Sequence, residues 1–115
     1  MNTSWRLYVV YTLVLIIVLW AGTSYGQVRA IHFNAEWNET NNVEWFKKLS
    51  DVEKSYMDIA KNDYQEKYKI AIVPTIVIFK DGEEVARFQA DLSFKMVATR
   101  KEVQAGIDEI LMSDF

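Results

Sequence analysis

The sequence predicts an α/β domain in which a four-stranded mixed sheet carries helices on both faces, behind an N-terminal apolar segment. Three observations carry this expectation. Short β-branched runs of alternating polarity exchange with stretches of helical spacing, in the order β-α-β-α-β-β-α. Asp81-Gly82 separates two strand-like runs, as in an antiparallel hairpin. Thr99-Arg100-Lys101-Glu102 precedes a helical apolar stripe and reads as a capping box.

Taken in order, Val28-Arg29-Ala30-Ile31-His32-Phe33 alternates as a first strand, with Ile31 and Phe33 on one face and Ala30 and His32 on the other. The polar stretch Asn38 to Asn42 ends that pattern. Asn41 with Glu44 three residues on predicts a capped start for a short helix that buries Phe46, Leu49 and Val52. Tyr56 to Ala60 is the second strand. Asn62 and Asp63 open a second short helix, with Tyr64 and Tyr68 one turn apart. Thr75 to Phe79 is β-branched almost throughout, which suits an interior strand buried on both faces. Glu84 to Ala90 alternates as the returning strand of the hairpin. Val103, Ile107, Ile110 and Leu111 then share one face of the last helix. The first two strands should run parallel through a right-handed crossover.

Composition removes whole classes of chemistry. Half of the 115 residues are hydrophobic, enough to offset the ordering entropy of one domain. A net charge of −3 argues against a nucleic-acid footprint. With no cysteine, the chain cannot build a disulfide, a thiolate nucleophile or a Cys-ligated metal centre. Its single histidine, His32, is expected to be a buried side chain hydrogen-bonded to a neighbour, and no metal or cofactor is expected. Neither a glycine-rich phosphate loop nor a Ser-His-Asp set can be assembled, so no catalytic residue is assigned.

The apolar residues are concentrated at the start. Leu7 to Trp20 is apolar except for Thr12 and follows Arg6; as a helix it spans about 21 Å, short of a bilayer core. Ala21 to Gly26 is small and polar, Tyr25 excepted. Two readings stay open: residues 1–26 as a signal peptide cleaved near Gly26–Gln27, or residues 5–22 as an uncleaved signal anchor with Trp5 and Trp20 at the interfaces. Both put the domain of residues 27–115 outside the cytoplasm, secreted, periplasmic or membrane-anchored. All the acidic and all but one of the basic residues fall in that domain.

Two segments resemble a known family. Ile31-His32-Phe33-Asn34-Ala35-Glu36-Trp37 is similar to the strand leading into a thioredoxin active site. Ile72-Val73-Pro74-Thr75-Ile76-Val77-Ile78-Phe79-Lys80-Asp81-Gly82 is similar to the family's cis-proline strand and hairpin. The resemblance covers nearly all of residues 28–112. It implies a shortened thioredoxin-like fold, lacking an N-terminal strand and helix, with sheet order second-first-third-fourth and a cis peptide before Pro74.

The departures bear most on function. Asn38-Glu39-Thr40-Asn41 stands where the family carries Cys-Gly-Pro-Cys, so thiol–disulfide exchange has neither nucleophile nor leaving group. His32 stands where the family has a buried acid, and Ala90 where many members have a glycine at a groove edge. What the resemblance leaves is a candidate binding groove of Trp37, Asn38, Asn41, Val73, Pro74, Thr75 and Ala90. There the Val73 backbone would pair with an extended peptide and Trp37 would supply an apolar wall. The plainer reading is that these residues are scaffold and that Thr40, Asn41 and Asn42 only cap a helix. Asn38-Glu39-Thr40 is also a glycosylation sequon.

Three functions follow from this. One is a redox-inactive module that binds an extended polypeptide. Another is a membrane-anchored structural component of an envelope complex, with an envelope protein as its partner. The third is an enzyme without thiol chemistry, working through Asn38, Thr40 or His32.

Overall fold

The computed structural model describes residues 27–113. Both readings of the N-terminal segment, and the boundary at residue 26, lie outside the described residues. Among those described, no helix is long and apolar enough to cross a membrane.

Four strands form one sheet: β1 (Val28–Asn34), β2 (Glu53–Asp58), β3 (Thr75–Lys80) and β4 (Glu83–Gln89), in the order β2-β1-β3-β4. β1 and β2 run parallel, while β1/β3 and β3/β4 are antiparallel. This is the mixed order expected, with β3 in the interior. The Val73–Pro74 peptide is cis. Asp81 and Gly82 both take positive φ, the two-residue turn geometry that the Asp-Gly pair favours because its twist matches the strands. Ala90 falls just beyond β4 and forms a lone bridge to Met96.

Helical elements cover both faces. The 3₁₀ segment Glu44–Lys48 and the helix α2 (Arg100–Met112) pack on one, and the short α1 (Tyr64–Lys67) lies on the other; a first 3₁₀ segment, Glu36–Asn41, follows directly on β1. The first core contains Val28, Ala30, Phe46, Leu49, Ile76, Ile78, Val103 and Ile107. The second contains Ile31, Phe33, Ala35, Ile70, Val73 and Val77, with Tyr68 against it. The period-2 alternation of β1 and β3 therefore feeds two cores from the same strands. Thr99 caps α2 by accepting the Glu102 backbone N–H at 3.2 Å.

Three local expectations fail, each for a physical reason. The helix after β1 is not α-helical and Asn41 does not cap it. Asn41 sits inside the first 3₁₀ segment and donates its amide to Asn38 Oδ1 at 2.8 Å, so side-chain bonding replaces the cap. β2 begins three residues earlier than its alternation suggested. Asp58 ends it by closing a turn, accepting from the Lys61 N–H on its carbonyl and from the Ala60 N–H on its carboxylate. Asn62 and Asp63 both adopt left-handed backbone and cap nothing, leaving α1 a single turn.

Candidate functional site

At the C-terminal end of β1 the chain turns sharply into the first 3₁₀ segment. Asn34 is the last residue of the strand and is buried; Asn38 follows one turn later and is only 4% exposed. Their amides face each other, with Asn38 Nδ2 donating to Asn34 Oδ1 at 3.0 Å and Asn34 Nδ2 donating to the Asn38 carbonyl at 3.1 Å. Asn34 Nδ2 also donates to Asn42 Oδ1. The same Asn38 amide reaches two distant carbonyls, Phe94 at 3.2 Å and Val73 at 3.4 Å. One side chain thus ties together β1, the cis-proline loop and the segment after β4.

That last segment is a tight loop. Ala90 donates its N–H to the Pro74 carbonyl at 3.0 Å, and Asp91 pairs its N–H with the Lys95 carbonyl at 2.9 Å. Asp91 Oδ1 accepts from the Ser93 N–H, the Ser93 hydroxyl and the Lys95 N–H. The Ser93 hydroxyl bond is the largest influence holding the Asp91 carboxyl below the ordinary range. Phe94 turns back through a φ of 64° and sets its ring edge-on to Trp37, with centroids 5.1 Å apart. Trp37 remains 67% exposed and Leu92, on the same loop, 92%. The outcome is an apolar surface on a loop closed by its own hydrogen bonds.

The structure divides the expected groove. Val73, Pro74 and Thr75 lie beside Asn38 but are buried, and Thr75 donates its hydroxyl to the Ile72 carbonyl at 2.6 Å. Ala90 is half-buried, and Asn41 is spent on Asn38. Trp37 is the exposed member of the set. Asn34, Asn42, Leu92 and Phe94 belong to this site too and were missed from the sequence. A polar residue directly after Phe33 at the end of the strand was the available signal for Asn34; Leu92 and Phe94, flanking Ser93 outside any periodic run, were the signal for the loop. Burial of the Asn38 amide closes the glycosylation sequon in the folded chain.

His32 sits behind the site, between Phe46 and Tyr56 at centroid separations of 5.4 and 5.2 Å. Its Nε2 accepts the Val43 backbone N–H at 3.0 Å, so the proton of the neutral ring belongs on Nδ1. Burial lowers its pKa to about 4, a shift only partly opposed by its own backbone carbonyl. His32 is a staple between β1 and the start of the second 3₁₀ segment, as the sequence led one to expect of a lone buried histidine. Among the described residues, no three His, Cys, Asp or Glu side chains cluster as a metal-ligand set.

No family model and no curated protein matches the chain. Solved structures do. A thioredoxin pre-protein from Schistosoma mansoni superposes with a TM-score of 0.59 at 22% identity, over 82% of this chain and 89% of that one. A point mutant of thioredoxin from Halobacterium salinarum gives 0.58 at 22% identity, over 74% and 75%. Fasciola hepatica thioredoxin gives 0.53 at 23% identity, over 81% and 89%. With the sheet order and the cis-proline in place, the protein has a thioredoxin-like fold built without cysteine.

Proposed function

We propose that residues 27–113 form a redox-inactive thioredoxin-like module outside the cytoplasm that binds an extended, apolar-rich polypeptide. The binding surface is the patch of Trp37, Phe94 and Leu92. A single observation carries this reading: Trp37 is two-thirds exposed yet held edge-on to Phe94, in a loop pinned by Asp91 and by the Asn38 amide. Large aromatic side chains ordered before contact lose little entropy on binding, which favours them as anchors. The cis-proline backbone contributes less than the resemblance implied, because the Val73 carbonyl already accepts from Asn38 and Pro74 is buried.

Location follows from the sequence of the N-terminal segment, and the fold is compatible with either of its readings. Gln27 enters at the start of β1, whereas Trp37 lies beyond the opposite end, about 20 Å away along the seven-residue strand. The test is photocrosslinking from position 37 of the full chain in its native envelope. A captured polypeptide that is lost with Phe94→Ser supports the reading. Crosslinking only to lipid, or capture indifferent to Phe94→Ser, overturns it. The amino terminus of the mature protein, Gln27 or Met1, separates a released module from an anchored component.

A further inference from the structure

We propose that the protein forms a two-fold dimer by antiparallel pairing of β2 with β2 of a second copy. Among the described residues β2 pairs only with β1 and is the outermost strand of the sheet. The Ile59 N–H donates to the Asn34 carbonyl at 3.0 Å. Successive backbone groups alternate in direction, so Lys54, Tyr56 and Asp58 aim theirs away from β1. An unpaired row of this kind is a template for another strand.

The side chains select both the occupant and the register. For two copies related by a two-fold axis, the outward groups can face each other in only a few alignments. Centring on Tyr56 places each Lys54 opposite the other copy's Asp58 at both ends, an opposite-charge pair made twice by symmetry. Centring on Lys54 instead sets the two lysines face to face, and centring on Ser55 leaves both charges without opposite partners. The Lys54 ammonium also donates to the Lys47 and Leu49 carbonyls of its own chain, which fixes the positive charge at this end of the strand. Asp58 keeps its N–H for the partner's Lys54 carbonyl, although its own carbonyl serves the Lys61 turn.

Tyr56 falls on the axis. It is 59% exposed despite its contacts with His32 and Phe46 on the inner side, and it stands between two surface clefts. Pairing would bring the two tyrosines side by side over those clefts. The opposite edge is a less regular template, because β4 carries a register shift against β3 at Ile78/Phe79.

A chain without cysteine makes the test direct. Tyr56→Cys and, as a control on the other edge, Val85→Cys are introduced singly into the full-length protein in detergent and oxidised mildly. The outward pair at the axis lies within disulfide reach. Tyr56→Cys should therefore give a covalent dimer many times faster than Val85→Cys. Adding Asp58→Lys sets like charges opposite each other twice and should slow that crosslinking about tenfold. Sedimentation of the unmodified protein, which needs no variant to fold, should show a dimer. Three results would each overturn the proposal: equal crosslinking at both positions, an unmodified monomer at about 100 μM, or a Tyr56→Cys thiol shielded from alkylation in a monomer by residues 1–26.

Discussion

Acid should weaken this fold through one side chain, and the size of the effect can be worked from the structure. His32 is buried with its Nε2 accepting the Val43 N–H, and its pKa falls from 6.5 to about 4. The unfolded chain takes up a proton as the pH drops through 6.5, whereas the folded chain refuses it until about 4. Over that window the unfolded state binds more protons, so stability falls with falling pH; above it the histidine adds no pH dependence. The shift corresponds to about 3 kcal/mol, a sizeable share of the stability of a small domain. Replacing His32→Gln keeps an acceptor for Val43 and removes the titration. Loss of the ring contacts with Phe46 and Tyr56 adds a penalty that does not vary with pH.

The assay is urea unfolding of both proteins from neutral pH down to about pH 4, read as the difference between their stabilities. Carboxylates such as Glu84, held low by Arg87, and Asp91 titrate in both proteins and cancel in that difference. The wild type should lose its advantage progressively, by about 3 kcal/mol in total. Because the chain holds one histidine, its ring resonances in the folded protein need no assignment. Stability curves that stay parallel, or an imidazole that titrates at its ordinary pH in the folded state, would refute the staple and the burial argument together.

Other perturbations follow from the same structure. Asn38→Ala should cost about 2–3 kcal/mol in denaturant unfolding, because the Phe94 and Val73 carbonyls and the Asn34 amide oxygen lose a buried donor at once. Gly106→Ala should raise stability by about 0.5–1 kcal/mol and increase Tm: the position is inside α2, and an added Cβ meets Phe88 Cζ at 3.4 Å, an ordinary contact. The pair Asn38→Cys and Asn41→Cys should close a disulfide under mild oxidation, seen as loss of two free thiols, since these side chains already touch. No bridge between them would mean that this turn does not match the family's active-site turn.

The parts of the fold legible in the sequence were those fixed by local rules. Asp81-Gly82 dictated its turn because few pairs tolerate two consecutive positive φ values. Thr75–Lys80 was legible as interior because the β-branched run Thr75 to Ile78 suits no exposed position. The region between Asn34 and Asp58 was read less well. There, side-chain amides compete with the backbone for the same partners, and spacing rules do not say which wins. The Asn41 cap failed for that reason. The site was half legible: Trp37 and Asn38 followed from the family resemblance, but the second half arrives from a loop more than 50 residues later. A left-handed phenylalanine closes that loop, and no propensity foretells it.

The asparagines explain why the site keeps its shape without thiols. A reactive dithiol must expose at least one sulfur and stabilise it as an anion. Asn38 occupies the position that resembles the first cysteine and does the opposite. It is buried, neutral, and uses both ends of its amide, donating to Asn34, Phe94 and Val73 and accepting from Asn41. Every buried side-chain nitrogen and oxygen among the described residues has a partner, so the cluster does not carry the desolvation penalty of a half-satisfied polar core. Its connections run to three segments: β1, the cis-proline loop and residues 91–96. Holding the third of these holds Phe94 against Trp37. For the proposed polypeptide surface that rigidity matters directly, because side chains already ordered in the free protein need not be ordered again on binding. The residue that stands where the resemblance places the first cysteine is thus also the one that holds the aromatic surface in place.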